Sequence, residues 1–126
     1  MSERTIPSPF PNPETQAFWD ACSAGEFKVP LCKGCSKHHW YPRALCPFCF
    51  SDQIELQPAK GTGTIYSFST TLKPVTYTIA YVQLAEGPIM MTNILTDDHS
   101  KLKIGQTVTL TLVPSADGTP VPMFKV

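Results

Sequence analysis

The sequence predicts a mainly β chain: one N-terminal α-helix, a four-cysteine metal ribbon and a small five-stranded barrel. Three observations lead there. Cys32, Cys35, Cys46 and Cys49 form two Cys-x-x-Cys pairs with ten residues between them. One short amphipathic stretch precedes them. Five β-type runs without a helical period fill residues 61–126. The boundaries follow as 1–25 for a proline-rich arm and helix, 26–58 for the ribbon and 59–126 for the barrel.

The arm carries Pro7, Pro9, Pro11 and Pro13, a spacing that keeps a chain extended. Asn12 is placed to cap a helix with Pro13 at its first position and Glu14 in its first turn, where a carboxylate suits the positive dipole end. Gly25 ends it. Ala17, Phe18, Ala21 and Cys22 share one face and Trp19 widens the stripe. Phe18 is assigned to contacts within the chain, and Trp19 is the candidate for a partner or ligand surface. Cys22 reads as a small buried hydrophobe.

Residues 26–31 alternate as a short strand delivering Cys32 into the first knuckle. Each Cys-x-x-Cys turn can aim two thiolates at one ion, and two facing turns complete a closed tetrahedral site. Gly34 and Pro47 suit tight turns inside them. With four sulfurs and no open position the expected ion is structural Zn2+; spacing alone leaves iron open. Two disulfides are the competing arrangement. They are disfavoured because Cys22 makes the cysteine count odd and no apolar secretory segment precedes the pairs. The chain therefore reads as cytoplasmic.

Ile54 and Leu56 alternate with Glu55 and Gln57 as the strand leaving the ribbon. Gly61-Thr62-Gly63 breaks that pattern. The five runs beyond it are 64–72, 77–85, 89–95, 107–113 and 121–126, separated by turn signals at Glu86-Gly87-Pro88, Asp97-Asp98, Ile104-Gly105 and Asp117-Gly118. Val108, Leu110 and Leu112 point one way and Thr107, Thr109 and Thr111 the other. So few residues hide their strand edges only by closing on themselves. Residues 97–103 offer at most one helical turn.

Ten Lys and Arg balance ten Asp and Glu, which removes a global electrostatic attraction to nucleic acid. Nothing approaches a membrane span. Locally, Lys28, Lys33, Lys37 and Arg43 stand between Phe27 and Phe50 without an acidic residue. Such a run is either a solvated ribbon surface or an anion site.

Taken in order, the motifs resemble a known family. They are Phe18-Trp19, Gly25-Glu26-Phe27, Tyr41-Pro42-Arg43, Cys46-Pro47-x-Cys49, Gly61-x-Gly63, Tyr77-x-x-Ala80-x-Val82-x-Leu84-x-Glu86-Gly87, Ile104-Gly105-x-x-Val108 and Pro122-x-Phe124. Together they are similar to the domain-of-unknown-function-35 (DUF35) family from Phe18 to Phe124. Relatives often carry two prolines where this chain has Tyr41-Pro42, and the run His38-His39-Trp40 is unusual. The resemblance implies a rubredoxin-like zinc ribbon joined to an OB-fold barrel. It also implies a non-catalytic accessory or scaffold subunit that binds acyl-CoA and docks on a thiolase-like enzyme, an acyl-CoA lyase (retro-aldolase) or a hydratase.

On that reading the CoA phosphates meet Lys33, Lys37 or Arg43, and Phe68 and Tyr77 shield the pantetheine or acyl arm. Arg43 leads because its planar fork can grip phosphate in a bidentate way; a salt bridge or a carbonyl tie inside the ribbon is its competing role. The alternative function is a single-strand nucleic-acid module, as OB barrels and ribbons can be, with Tyr66, Phe68, Tyr77 and Tyr81 stacking on bases. Charges in the barrel cancel and weaken it, and alternation points such aromatics into a core. A stand-alone enzyme has least support: no nucleophile elbow, paired carboxylates or open metal site emerges. His38 and His39 are expected on an exposed loop, His99 on the surface and Glu86 in a turn.

Overall fold

A computed structural model describes residues 5–126. Helix α1 spans Gln16–Ser23, followed by β1 (Lys28–Cys32), β2 (Lys37–His38), β3 (Ile54–Pro58), β4 (Thr62–Thr71), β5 (Tyr77–Leu84), β6 (Ile89–Leu95), a 3₁₀ turn at His99–Lys101, β7 (Thr107–Pro114) and β8 (Pro120–Lys125). Strands β2-β1-β3 form a small antiparallel sheet, and the other five close into a barrel in the order β4-β5-β6-β8-β7. No helix among the described residues is long and apolar enough to cross a membrane.

The helix starts later than the Asn12 cap predicts. Asn12 Oδ1 accepts the amides of Glu14 and Thr15, so Asn12 closes a turn ahead of the helix. Glu14 does not serve the dipole; its Oε2 accepts the Ala44 amide at 2.7 Å and ties the helix start to the ribbon. The buried face holds Phe18, Trp19, Ala21 and Cys22, whereas Ala17 is exposed.

Trp19 corrects the sequence expectation of a partner surface. It is 8% exposed, with its ring centroid 5.0 Å from that of Phe18. Phe18 packs edge-on against Trp40 as well, and Phe27 meets Phe124 of β8 at 6.4 Å. One continuous cluster thus runs from Phe18 and Trp19 through Phe27 and Val29 to Val82, Val108 and Phe124. Helix, ribbon and barrel share a core because no single element here has enough apolar surface to build its own.

In the barrel, alternation sends Thr78, Ala80, Val82 and Leu84 inward and Ile79, Tyr81 and Gln83 outward. A bulge between Ile65 and Ser67 interrupts the β4–β5 register. The strand alternation itself puts Tyr66 and Tyr81 on the outer face, a correction to the expectation that such aromatics point into the core. Gly63 is required by close approach: a Cβ there would lie 2.6 Å from Gln83 O and 2.7 Å from Val82 Cγ1.

Candidate functional site

The two cysteine knuckles are built alike. After each Cys-x-x-Cys turn the chain doubles back, so the Ser36 amide donates to Cys32 O at 2.8 Å and the Phe50 amide to Cys46 O at 2.9 Å. Ser36 and Phe50, each just past its second cysteine, take the left-handed conformation with φ of 62° and 64°. The Phe48 amide donates to Cys46 Sγ at 3.3 Å. Gly34 serves proximity: a Cβ would press within 3.0 Å of Ser51, which lies just beyond the second knuckle.

The four Sγ atoms all lie within 4.8 Å of one another, with Cys32–Cys49 at 3.6 Å and Cys35–Cys46 at 3.7 Å. Tetrahedral zinc with Zn–S bonds of about 2.3 Å requires sulfur–sulfur edges of about 3.8 Å. The quartet fits zinc. Burial pushes the Cys35 thiol up to about 12. Burial also raises Cys46, but the backbone amides of Cys49 and Phe48 outweigh it and hold that thiol down to about 7. Bound zinc would supply a cross-link between the knuckles. Cys22 lies outside the quartet, and burial pushes its thiol up to about 11.

Beside the knuckles, ribbon and barrel enclose a groove of about 640 Å³. Its walls include Lys37, His38, His39 and Arg43 from the ribbon, Glu86 from the β5–β6 turn and Ile89 at the start of β6. Lys37 Nζ stands 5.2 Å from the centroid of the Phe48 ring. Arg43 is exposed and forms no ion pair among the described residues. His39 is a correction: it is 2% exposed, not on an open loop. Burial holds its imidazole below the ordinary range, and the charges of Arg43 and His38 push the same way. Glu86 is likewise more than a turn residue, since its Oε2 accepts the Lys60 amide at 2.8 Å and fastens the β5–β6 turn to the ribbon–barrel junction.

The other sequence-predicted contacts lie elsewhere. Lys33 pairs with Glu55 at 3.2 Å, an acidic partner hidden from the linear charge run because β3 returns beside β1. Phe68 is half-buried against the core. Tyr77 lines a separate cavity of about 710 Å³, together with Ile6, Ile94, His99 and Val113. His99 is not a plain surface residue: its Nδ1 is 2.7 Å from the Thr78 hydroxyl, which in turn is 2.8 Å from that of Thr70. The pairing that unites these three groups was invisible in the sequence.

A closed four-thiolate knuckle sharing its core with a closed five-stranded barrel defines a zinc-ribbon–OB-fold protein. The ribbon matches the model of the ChsH2 rubredoxin-like zinc ribbon domain over residues 19–55, and the barrel matches that of the ChsH2 C-terminal OB-fold domain over residues 56–113. The chain belongs to the DUF35 family.

Among solved structures it is similar to a chain of the Ltp2-ChsH2(DUF35) aldolase, at 26% identity and a TM-score of 0.84, covering 94% of this chain and 98% of that one. A DUF35 family protein of unknown function from Sulfolobus solfataricus shares the fold at 15% identity and a TM-score of 0.66, covering 91% and 86%. A curated relative is the probable enoyl-CoA hydratase alpha subunit of Thermomonospora curvata, 28% identical over 116 residues, which are 86% of this chain. The match spans only 36% of that relative's length.

Proposed function

We propose that this protein is a non-catalytic accessory subunit of an acyl-CoA enzyme, a thiolase-like enzyme, acyl-CoA lyase or hydratase, and helps form that enzyme's acyl-CoA site. The observation that carries the reading is its near full-length likeness, on both chains, to a component of the Ltp2-ChsH2(DUF35) aldolase. The hydratase name of the curated relative supports the same class of partner.

The geometry agrees with a receptor role. Lys37 and Arg43 stand on one groove, and Arg43 lacks an ion-pair partner among the described residues, so a phosphate would add a charge-assisted contact there. The groove continues at Ile89 onto the outer face of β5 and β6, where Ile79, Tyr81 and Met91 are exposed and Tyr81 is paired across the strands with Met91. An apolar outer sheet face suits a protein partner, and no cation stands among those side chains to favour a nucleic-acid strand.

The test is calorimetric titration of acyl-CoA into the purified chain and into the chain co-purified with its enzyme. Saturable binding in either preparation, weakened by Arg43→Ala, is the expected result. Absence of binding in both would remove the acyl-CoA reading, and a salt-sensitive shift of short oligonucleotides instead would transfer support to the nucleic-acid alternative.

A further inference from the structure

The four sulfurs of the metal site differ in their access to water. Cys32 and Cys46 are buried, Cys35 is half-buried and Cys49 is exposed. Zinc holds its cysteine ligands as thiolates, and the thiolate is the form of cysteine that attacks electrophiles and oxidants. Cys49 therefore unites thiolate character with exposure. Cys22 has neither, being buried and outside the quartet.

The buried sulfurs are not isolated from the accessible ones. Cys32 lies 3.6 Å from Cys49 and Cys46 lies 3.7 Å from Cys35, so each buried sulfur has a more accessible one beside it from the opposite knuckle. Backbone pairing holds the first of these pairs together. Cys32 is matched with Ile54 in the β1–β3 register, and the Lys33 amide donates to Gln53 O at 2.8 Å, which fastens the chain just beyond Cys49 to the first knuckle. An S–S bond of about 2.05 Å asks the two sulfurs to close by only about 1.5 Å.

We propose that the ribbon carries an oxidation site in which Cys49 reacts with a hydroperoxide and Cys32 resolves it as a disulfide, releasing the zinc. In the first step the Cys49 thiolate attacks the peroxide; the O–O bond breaks, an S–O bond forms, and the departing alkoxide or hydroxide takes up a proton. Cys32 then attacks the Cys49 sulfenic acid, forming the S–S bond and expelling the oxygen as water after a second protonation. Two thiolates have lost two electrons and the peroxide has gained them. With half its ligands gone, the site no longer offers the four donors that structural zinc requires. Because the disulfide joins opposite knuckles, it takes over the cross-link that the metal supplied, and thiol reduction restores the original ligands. Lys37, His39 and Arg43 lie between the knuckles and wall the neighbouring groove, so peroxide reaches that wall through the metal site. This chemistry depends on the metal site and not on the acyl-CoA reading.

The test exposes the zinc-loaded full chain to hydrogen peroxide, follows metal release with a chromogenic chelator and maps disulfides by mass spectrometry after alkylation. About one zinc ion should leave for each Cys32–Cys49 disulfide, and dithiothreitol with added zinc should reverse the change. Cys22→Ala should release zinc at the wild-type rate. Cys49→His keeps a nitrogen ligand for zinc without the exposed thiolate and should release it about tenfold more slowly. Should that variant fail to load zinc, the wild-type disulfide map decides. Any other first disulfide, whether within one knuckle or to Cys22, would overturn the proposal. So would zinc retained on a reduced quartet when Met91, exposed on the barrel, has already become a sulfoxide. Protein that carries no zinc would overturn it together with the metal assignment.

Discussion

Replacing Phe18 by alanine tests whether helix, ribbon and barrel fold as one unit. Phe18 is 1% exposed and packs against the rings of Trp19, Phe27, Trp40 and Tyr41. Burying such a side chain contributes about 1.5–3 kcal/mol. The cavity left behind and the lost edge contacts, at about 0.5–1.5 kcal/mol for an aromatic pair, raise the expected loss to about 3–5 kcal/mol. That is a large part of the roughly 5–15 kcal/mol that holds a domain together. The assay is urea unfolding of zinc-loaded protein, followed separately by tryptophan fluorescence, which reports on Trp19 and Trp40, and by far-UV dichroism, which is dominated by the barrel. Both transitions should move together to lower urea. Phe10→Ala, at a side chain 96% exposed, should change stability by less than about 0.5 kcal/mol. A loss below about 1 kcal/mol for Phe18→Ala, or a barrel transition that stays in place, would refute the shared core.

Zinc should be present at one ion per chain, and Cys46→Ser should abolish it with a loss of several kcal/mol, below the roughly 10–16 kcal/mol by which zinc folds isolated finger peptides; metal analysis beside a thermal melt checks this, and an unaltered melt without metal would oppose it. Gly63→Ala should destabilise by about 1–3 kcal/mol, because its Cβ would meet Gln83 backbone and Val82 inside the closed barrel; chemical denaturation measures it. Asp117 accepts the Thr119 amide and the Ser115 hydroxyl, and its carboxyl is held down to about 2, first by that amide. A depressed carboxylate stabilises the fold fully above its unfolded value of 3.8 and loses that contribution as pH falls through about 2. The protection factor of the Thr119 amide, its exchange rate relative to the intrinsic rate at each pH, should therefore fall across that acid window in the wild type, and Asp117→Ala should have little protection there at neutral pH as well.

The metal site was legible in the sequence because its ligands are local: each knuckle is one tight turn, so residue spacing alone brings two sulfurs together. Strand runs were legible for a similar reason, since side-chain alternation records which face meets the core. The Asn12 cap misled because Asn12 can close a turn without starting the helix, and Trp19 misled because an amphipathic stripe shows how much surface needs covering without showing what covers it.

Pairings between distant segments belong to the tertiary structure. Glu55 reaches Lys33 through the β1–β3 register, Thr78 reaches His99 across 21 residues of chain, and His39 and Glu86 come to line one groove between ribbon and barrel. Periodicity over a few residues encodes direction relative to a core. Which distant side chain arrives opposite is decided by strand register and by the joint burial of Phe18, Phe27 and Phe124, and those energies exist only once the segments are in contact.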